Sequence, residues 1–201
     1  MIDRRIKELE NRFQTNKTYE NLRQLVMGYL VINEDYKKAI EETNKYLYLV
    51  VDLKLLFVIA YNSIEWQISP HEWIKEIENR IDPNADKSMA IYYYLKAMEI
   101  KRTDSSRKND YIKNLQQSIY YSNAFPFANN RFALSKELST KEAKKYYDDA
   151  VRNIIIVYRE EDVIMESIEE LLDVEKWIEE FIMGIRMYSG TYDYLRRFSA
   201  I

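Results

Sequence analysis

The sequence predicts an all-α protein, and three observations carry that reading. Apolar residues recur three and four positions apart along most of the chain, the period of a helix that buries one face. Only 3 Gly and 3 Pro occur in 201 residues, too few for the turns of a β-rich or loop-rich fold. Helix-start chemistry also recurs. Ser69-Pro70-His71-Glu72 and Ser139-Thr140-Lys141-Glu142 both have the capping-box pattern, a hydroxyl at the helix start and a glutamate three residues later. About twelve short helices account for the chain.

Ile2, Ile6, Leu9 and Phe13 define a first helix over 2–14. Thr18 caps a second, through Leu22, Leu25, Val26, Tyr29 and Leu30. Asn33-Glu34-Asp35 breaks it and starts a third, which carries Tyr36, Ala39, Ile40, Thr43, Tyr46 and Leu47. Asp52 starts a fourth. Pro70 sits at the first helical position of a fifth, where its missing N–H costs nothing, and Asp82-Pro83-Asn84 stops that helix. A long helix covers 85–102, and the polar stretch 103–109 is the longest expected loop. Helices over 110–122 and from Phe125-Pro126-Phe127 to about Leu138 follow. The Ser139 helix runs to about Val157, an acidic helix starts near Glu161, and Asp173 caps a helix with Trp177, Ile178, Phe181 and Ile182. Gly190 ends that one, and 191–200 is a last short helix.

Composition excludes several function classes. The chain is 47% hydrophobic and 31% charged, long enough to bury roughly 70% of its unfolded surface without staples. With no Cys, there are no disulfides, thiolate zinc sites or Cys nucleophiles; the single His71 rules out a multi-His metal site. No metal and no cofactor are expected. The net charge of -3 gives no overall basic footprint for nucleic acid, and no helix is cleanly basic. Met1 to Arg5 is charged with no apolar core behind it, which does not read as a signal peptide. The most apolar run, 47–61, contains Asp52 and Lys54 and is too short to span a bilayer. A cytoplasmic protein without membrane contact is the expectation.

Ala143, Tyr147 and Ala150 lie four and three positions apart on one helix face. Small, large aromatic, small is what a helix needs when neighbours approach closely and one ring fills the gap. This spacing resembles the second helix of a tetratricopeptide repeat. Helix starts at Asp35, Ser69, Asp110, Ser139 and Asp173 lie 34, 41, 29 and 34 residues apart, near that family's period of about 34. The Ser69 and Asp173 starts are alike in having Trp73-Ile74 and Trp177-Ile178 at the same offset. The resemblance implies one domain over 1–201, a right-handed solenoid of antiparallel helix pairs, capped by helices 2–14 and 191–200. Gly28, Ala60, Ala97 and Ala133 stand where the family places close-packing small residues.

The resemblance also implies a function: a non-catalytic module or adaptor that holds a protein or peptide segment in a concave groove. Counted from the small positions, the groove would be lined by Lys54, Phe57, Tyr61, Tyr94, Met98, Lys101, Arg102 and Asn130, with Leu134 beside them. From Glu160 to Glu180, ten carboxylates face one cation, Lys176. That stretch is either a solvated face or a docking surface for a basic partner, with Glu161, Glu166, Glu169 and Glu170 as its candidates. Lys101, Arg102, Arg107, Lys108 and Lys113, against Asp104 and Asp110, form a smaller basic patch suited to an anion or to an acidic surface of another copy. Two other readings stand: a regulatory or chaperone-like subunit that self-associates through its end helices, and a helical enzyme or nucleotide-binding protein using carboxylates and Tyr hydroxyls. Trp66, Trp73 and Trp177 read as core. Of neighbouring tyrosines such as Tyr92-Tyr93-Tyr94 and Tyr120-Tyr121, at least one must face outward, because successive helical residues point about 100° apart.

Overall fold

A computed structural model describes residues 2–125, 127–160 and 172–183. Among the described residues there are ten α-helices, two single 3-10 turns and no strand. No described helix is long and apolar enough to cross a membrane. The expected helix near Glu161, the Gly190 stop and the final helix at 191–200 lie outside the described residues. The chain divides into two compact units, residues 1–73 with 165–178 and residues 74–164 with 179–201.

The first unit contains α1 (Ile2–Thr15), α2 (Tyr19–Val31), α3 (Tyr36–Lys45), a 3-10 turn at Leu47–Leu49 and α4 (Leu53–Glu65). α1 packs on α2, α2 on α3 and α3 on α4. The starts fall where the sequence puts them: Thr18, Asp35 and Asp52 each accept a backbone N–H with the side chain at the head of its helix. Ile6, Leu9 and Phe13 of α1 are buried against α2, which is buried from Leu25 to Leu30. Gly28 permits that approach. A Cβ there would lie 2.7 Å from Leu9 Cδ1 and 3.2 Å from Ile6 Cδ1. Residues 172–178 return to this unit from far along the chain. Trp177 meets Tyr61 edge-on at 5.5 Å, and Glu175 pairs with Lys54 at 2.5 Å.

The second unit contains α6 (Asp86–Thr103), a 3-10 turn at Ser105–Arg107, α7 (Lys108–Tyr121), α8 (Ala128–Ser135) and α9 (Thr140–Glu160). α5 (His71–Arg80) and α10 (Val174–Met183) each begin in the first unit and end in the second. α6 packs along α7, α7 on α8 and α8 on α9. Of the α9 motif, Tyr147 and Ala150 pack together, and Ala143 is half-buried. Ala150 is fully buried with Ala128 and Phe132, and Tyr147 lies edge-on to Phe132 at 5.7 Å. Asn129 Nδ2 donates to the Phe181 carbonyl at 3.0 Å, and Phe181 closes a three-ring cluster with Tyr94 and Phe127.

Two expectations are corrected. The stretch 103–109 is not a loop. α6 extends to Thr103 and α7 starts at Lys108, because Asp104 caps the intervening turn by accepting from Ser106 N and Ser106 Oγ. Trp66 is not core. It ends α4, is 52% exposed and stacks on Tyr36.

Candidate functional site

The site begins with the end of α6. That helix is buried at most positions from Met89 to Ile100 and then turns basic with Lys101 and Arg102, where cations suit the negative end of the helix dipole. The Asp104 cap folds the chain back within one turn, so Arg107 and Lys108 arrive beside Lys101 at the head of α7. Tyr111, one turn into α7, is 3% exposed and forms the floor. Glu137 enters just after α8, held by its N–H on the Leu134 carbonyl.

A cleft of about 160 Å³ lies between these groups. Lys108 Nζ is 3.0 Å from Glu137 Oε2, and Lys101 Nζ is 3.5 Å from Oε1. Lys101 also donates to the Tyr111 hydroxyl at 3.4 Å and lies 5.1 Å from its ring centre. Arg107 pairs with Asp110 at 2.8 Å. Burial alone would raise the Glu137 carboxyl. The bond from Lys108 and the charges of Lys101 and Lys108 outweigh burial and hold it below the ordinary glutamate value. Burial and the nearby Lys101 push the Lys136 ammonium down, against the pull of Glu137. Three cations, Lys101, Arg107 and Lys108, thus line the cleft against two carboxylates, Asp104 and Glu137, an excess of positive charge. The arrangement suits binding an anion.

The same three residue types recur elsewhere as closed clips. In the first unit Tyr29 Oη donates to Glu10 Oε1 at 2.7 Å, Lys38 Nζ reaches the same oxygen at 2.5 Å, and Lys38 covers the Tyr29 ring at 4.6 Å. In the second, Tyr92 Oη donates to Glu78 at 2.7 Å and Lys96 Nζ bonds Tyr92 Oη at 2.9 Å and Glu78 at 3.3 Å. Each of these carboxylates meets one lysine; Glu137 meets two.

Of the residues expected to line a groove, Lys101 and Arg102 are exposed, and Lys101 lines this cleft. Lys54 is half-buried and engaged with Glu175. Phe57, Tyr61, Tyr94, Met98 and Asn130 are corrected to core: none is more than 6% exposed. Asn130 is fully buried because its amide donates to Ser118 Oγ at 2.9 Å and Ser122 Oγ at 3.0 Å, tying α8 to α7. Glu161, Glu166, Glu169 and Glu170 lie outside the described residues. At the described end of that acidic stretch, Asp173 caps α10, Glu175 pairs with Lys54 and Glu179 with Lys87. Sequence reasoning missed Tyr111, Lys136 and Glu137 as members of the corner.

A second cleft, of about 590 Å³ in the first unit, has Arg5, Arg12 and Arg23 facing Glu20, Asp173 and Glu175, so its charges balance. Among the described residues no group of three or more His, Asp or Glu is placed to hold a metal. Comparison with family models, curated proteins and solved structures finds no match to this chain.

Proposed function

We propose that the chain is a non-catalytic binding module, a degenerate tetratricopeptide-like arrangement of helix pairs, that docks an acidic protein segment at the α6–α7 corner. The repeat reading is supported by helices that pack on their sequence neighbours and by the burial of Gly28, Ala60, Ala97, Ala133 and Ala150. The observation that carries the function is the charge surplus around Glu137, where two lysines share one carboxylate beside an open cleft. An incoming carboxylate there replaces water around cations that the chain leaves incompletely neutralised. Affinity then falls with salt, because the groups are exposed.

The test uses a fluorescein-labelled hexaglutamate peptide and fluorescence anisotropy. Saturable binding is expected, weakened at least tenfold by the double substitution Lys101→Glu, Arg102→Glu, with an unchanged urea midpoint. Equal binding by the wild-type chain and a folded double variant removes this reading.

A further inference from the structure

A different surface, in the first unit, carries an inference independent of the basic corner. α4 ends at Trp66, and Gln67 takes a left-handed backbone (φ 58°) while the Ile68 N–H bonds the Ser63 carbonyl at 2.8 Å. α2 stops in a similar way, with Glu34 at φ 52°, just before Tyr36 opens α3. These two reversals lay Trp66 on Tyr36, with ring centres 4.0 Å apart and planes 21° apart. Tyr36 covers one indole face, yet Trp66 is 52% exposed, so about half of its surface stays open to solvent. Glu34 lies two residues before Tyr36, and Glu65 immediately before Trp66; burial and the charge of Glu34 raise the Tyr36 phenol, against a hydrogen bond with Trp66.

Rings beside carboxylates attract cations. Elsewhere this chain fills such places itself: Lys38 covers Tyr29 beside Glu10, Lys96 covers Tyr92 beside Glu78, and Lys101 covers Tyr111 beside Glu137. Lys17 and Lys45 cover Tyr46. Among the described residues no cation covers Tyr36 or Trp66. Lys37 is drawn to Glu41, and Lys38 is committed to Glu10. We propose that the Tyr36–Trp66 ledge is a binding site for a cationic side chain, arginine or lysine, carried by a basic segment of a partner protein. The indole supplies the π face and Glu34 the charge, as Tyr29 and Glu10 do for Lys38.

The experiment is a titration of the ¹⁵N-labelled chain with a hexa-arginine peptide, read at the tryptophan indole N–H resonances, with Trp66→Phe assigning the Trp66 signal. Expected is a saturable shift of the Trp66 resonance, none at the buried Trp73 and Trp177, and none with hexaglutamate. Glu34→Gln should raise the midpoint at least threefold. Trp66→Leu should weaken binding of labelled hexa-arginine while the Trp73 and Trp177 resonances stay in place, which certifies the fold. A Trp66 resonance that does not move, or a midpoint unchanged by Glu34→Gln, overturns the proposal. Either result leaves the hexaglutamate test of the α6–α7 corner untouched.

Discussion

At the corner between α2 and α3, Glu10 meets one lysine and one tyrosine hydroxyl, and each of the three groups engages the other two. At the corner between α6 and α7, Glu137 meets two lysines, with Lys136 and Arg107 close by and an open cleft among them. The residue types are the same; the stoichiometry differs. A matched clip ties α1, α2 and α3 together and leaves little for a ligand to gain. A mismatched clip still joins α6, α7 and the end of α8, but it retains a charge that an incoming anion can complete. On the proposed function, the contrast sets a structural use of Lys, Tyr and Glu beside a binding use within one chain.

The sharpest separation comes from Asn130, a residue that sequence spacing put in a groove. Its buried amide donates to two hydroxyls, and each such bond is worth about 1 kcal/mol, more if a donor is left unmet. Asn130→Ala should therefore lower unfolding stability by about 2 kcal/mol in urea and leave hexaglutamate affinity unchanged for the folded fraction. Lost affinity with intact stability would return Asn130 to the site.

Next in size is the paired test of the two carboxylates. Glu10→Ala should cost about 1–2 kcal/mol, chiefly the bond from the buried Tyr29 hydroxyl, since Lys38 is exposed enough for its charge to be screened. Glu137→Ala should cost less than about 1 kcal/mol, because it serves exposed lysines, and should tighten hexaglutamate binding by at least threefold. If Glu137→Ala weakens peptide binding, the idea of a surplus of cations at that corner fails.

The all-helical class was legible because it rests on period, caps and the scarcity of Gly and Pro, which are local. Thr18, Asp35, Asp52 and Asp173 cap where local pattern puts them. Site membership was only half legible. Lys101 and Arg102 stand out as a basic helix end, but nothing in the sequence around Glu137 says that it will meet Lys101 and Lys108; that follows from how α8 packs on α7. The expected groove residues failed for a related reason. α4 and α6 are apolar over most of their circumference, so Phe57, Tyr61, Tyr94 and Met98 are buried whichever face is counted as inner. Trp66 was misplaced because its position depends on Gln67 and Glu34 adopting left-handed backbones, which non-glycine residues rarely do.

A smaller test uses pH. Hydrogen bonds from Lys38 and Tyr29 lower the Glu10 pKa in the folded state. A depressed folded value means the unfolded chain takes up the proton first. The contribution is complete above about pH 4.3 and fades as pH falls through the folded value. The gap in urea midpoint between wild type and Glu10→Ala should thus be widest at neutral pH and close in acid. A gap constant down to pH 2 would mean that Glu10 acts through its methylenes and not its charge.

The least effect, and one of opposite sign, belongs to the backbone of the closed corner. Glu34 holds φ 52° with a full side chain, a conformation that glycine adopts without a Cβ penalty. Glu34→Gly should stabilise the chain by about 0.5–1 kcal/mol while leaving the Glu10–Tyr29–Lys38 clip intact. It should also weaken the hexa-arginine shift at Trp66, since the same substitution removes a carboxylate from the ledge. Stability and cation binding would then move in opposite directions from one substitution. That outcome is the one expected if the side chain of Glu34 serves the ledge and its backbone serves only the turn. If both fall together, the left-handed turn depends on the Glu34 side chain, and the two roles are not separable.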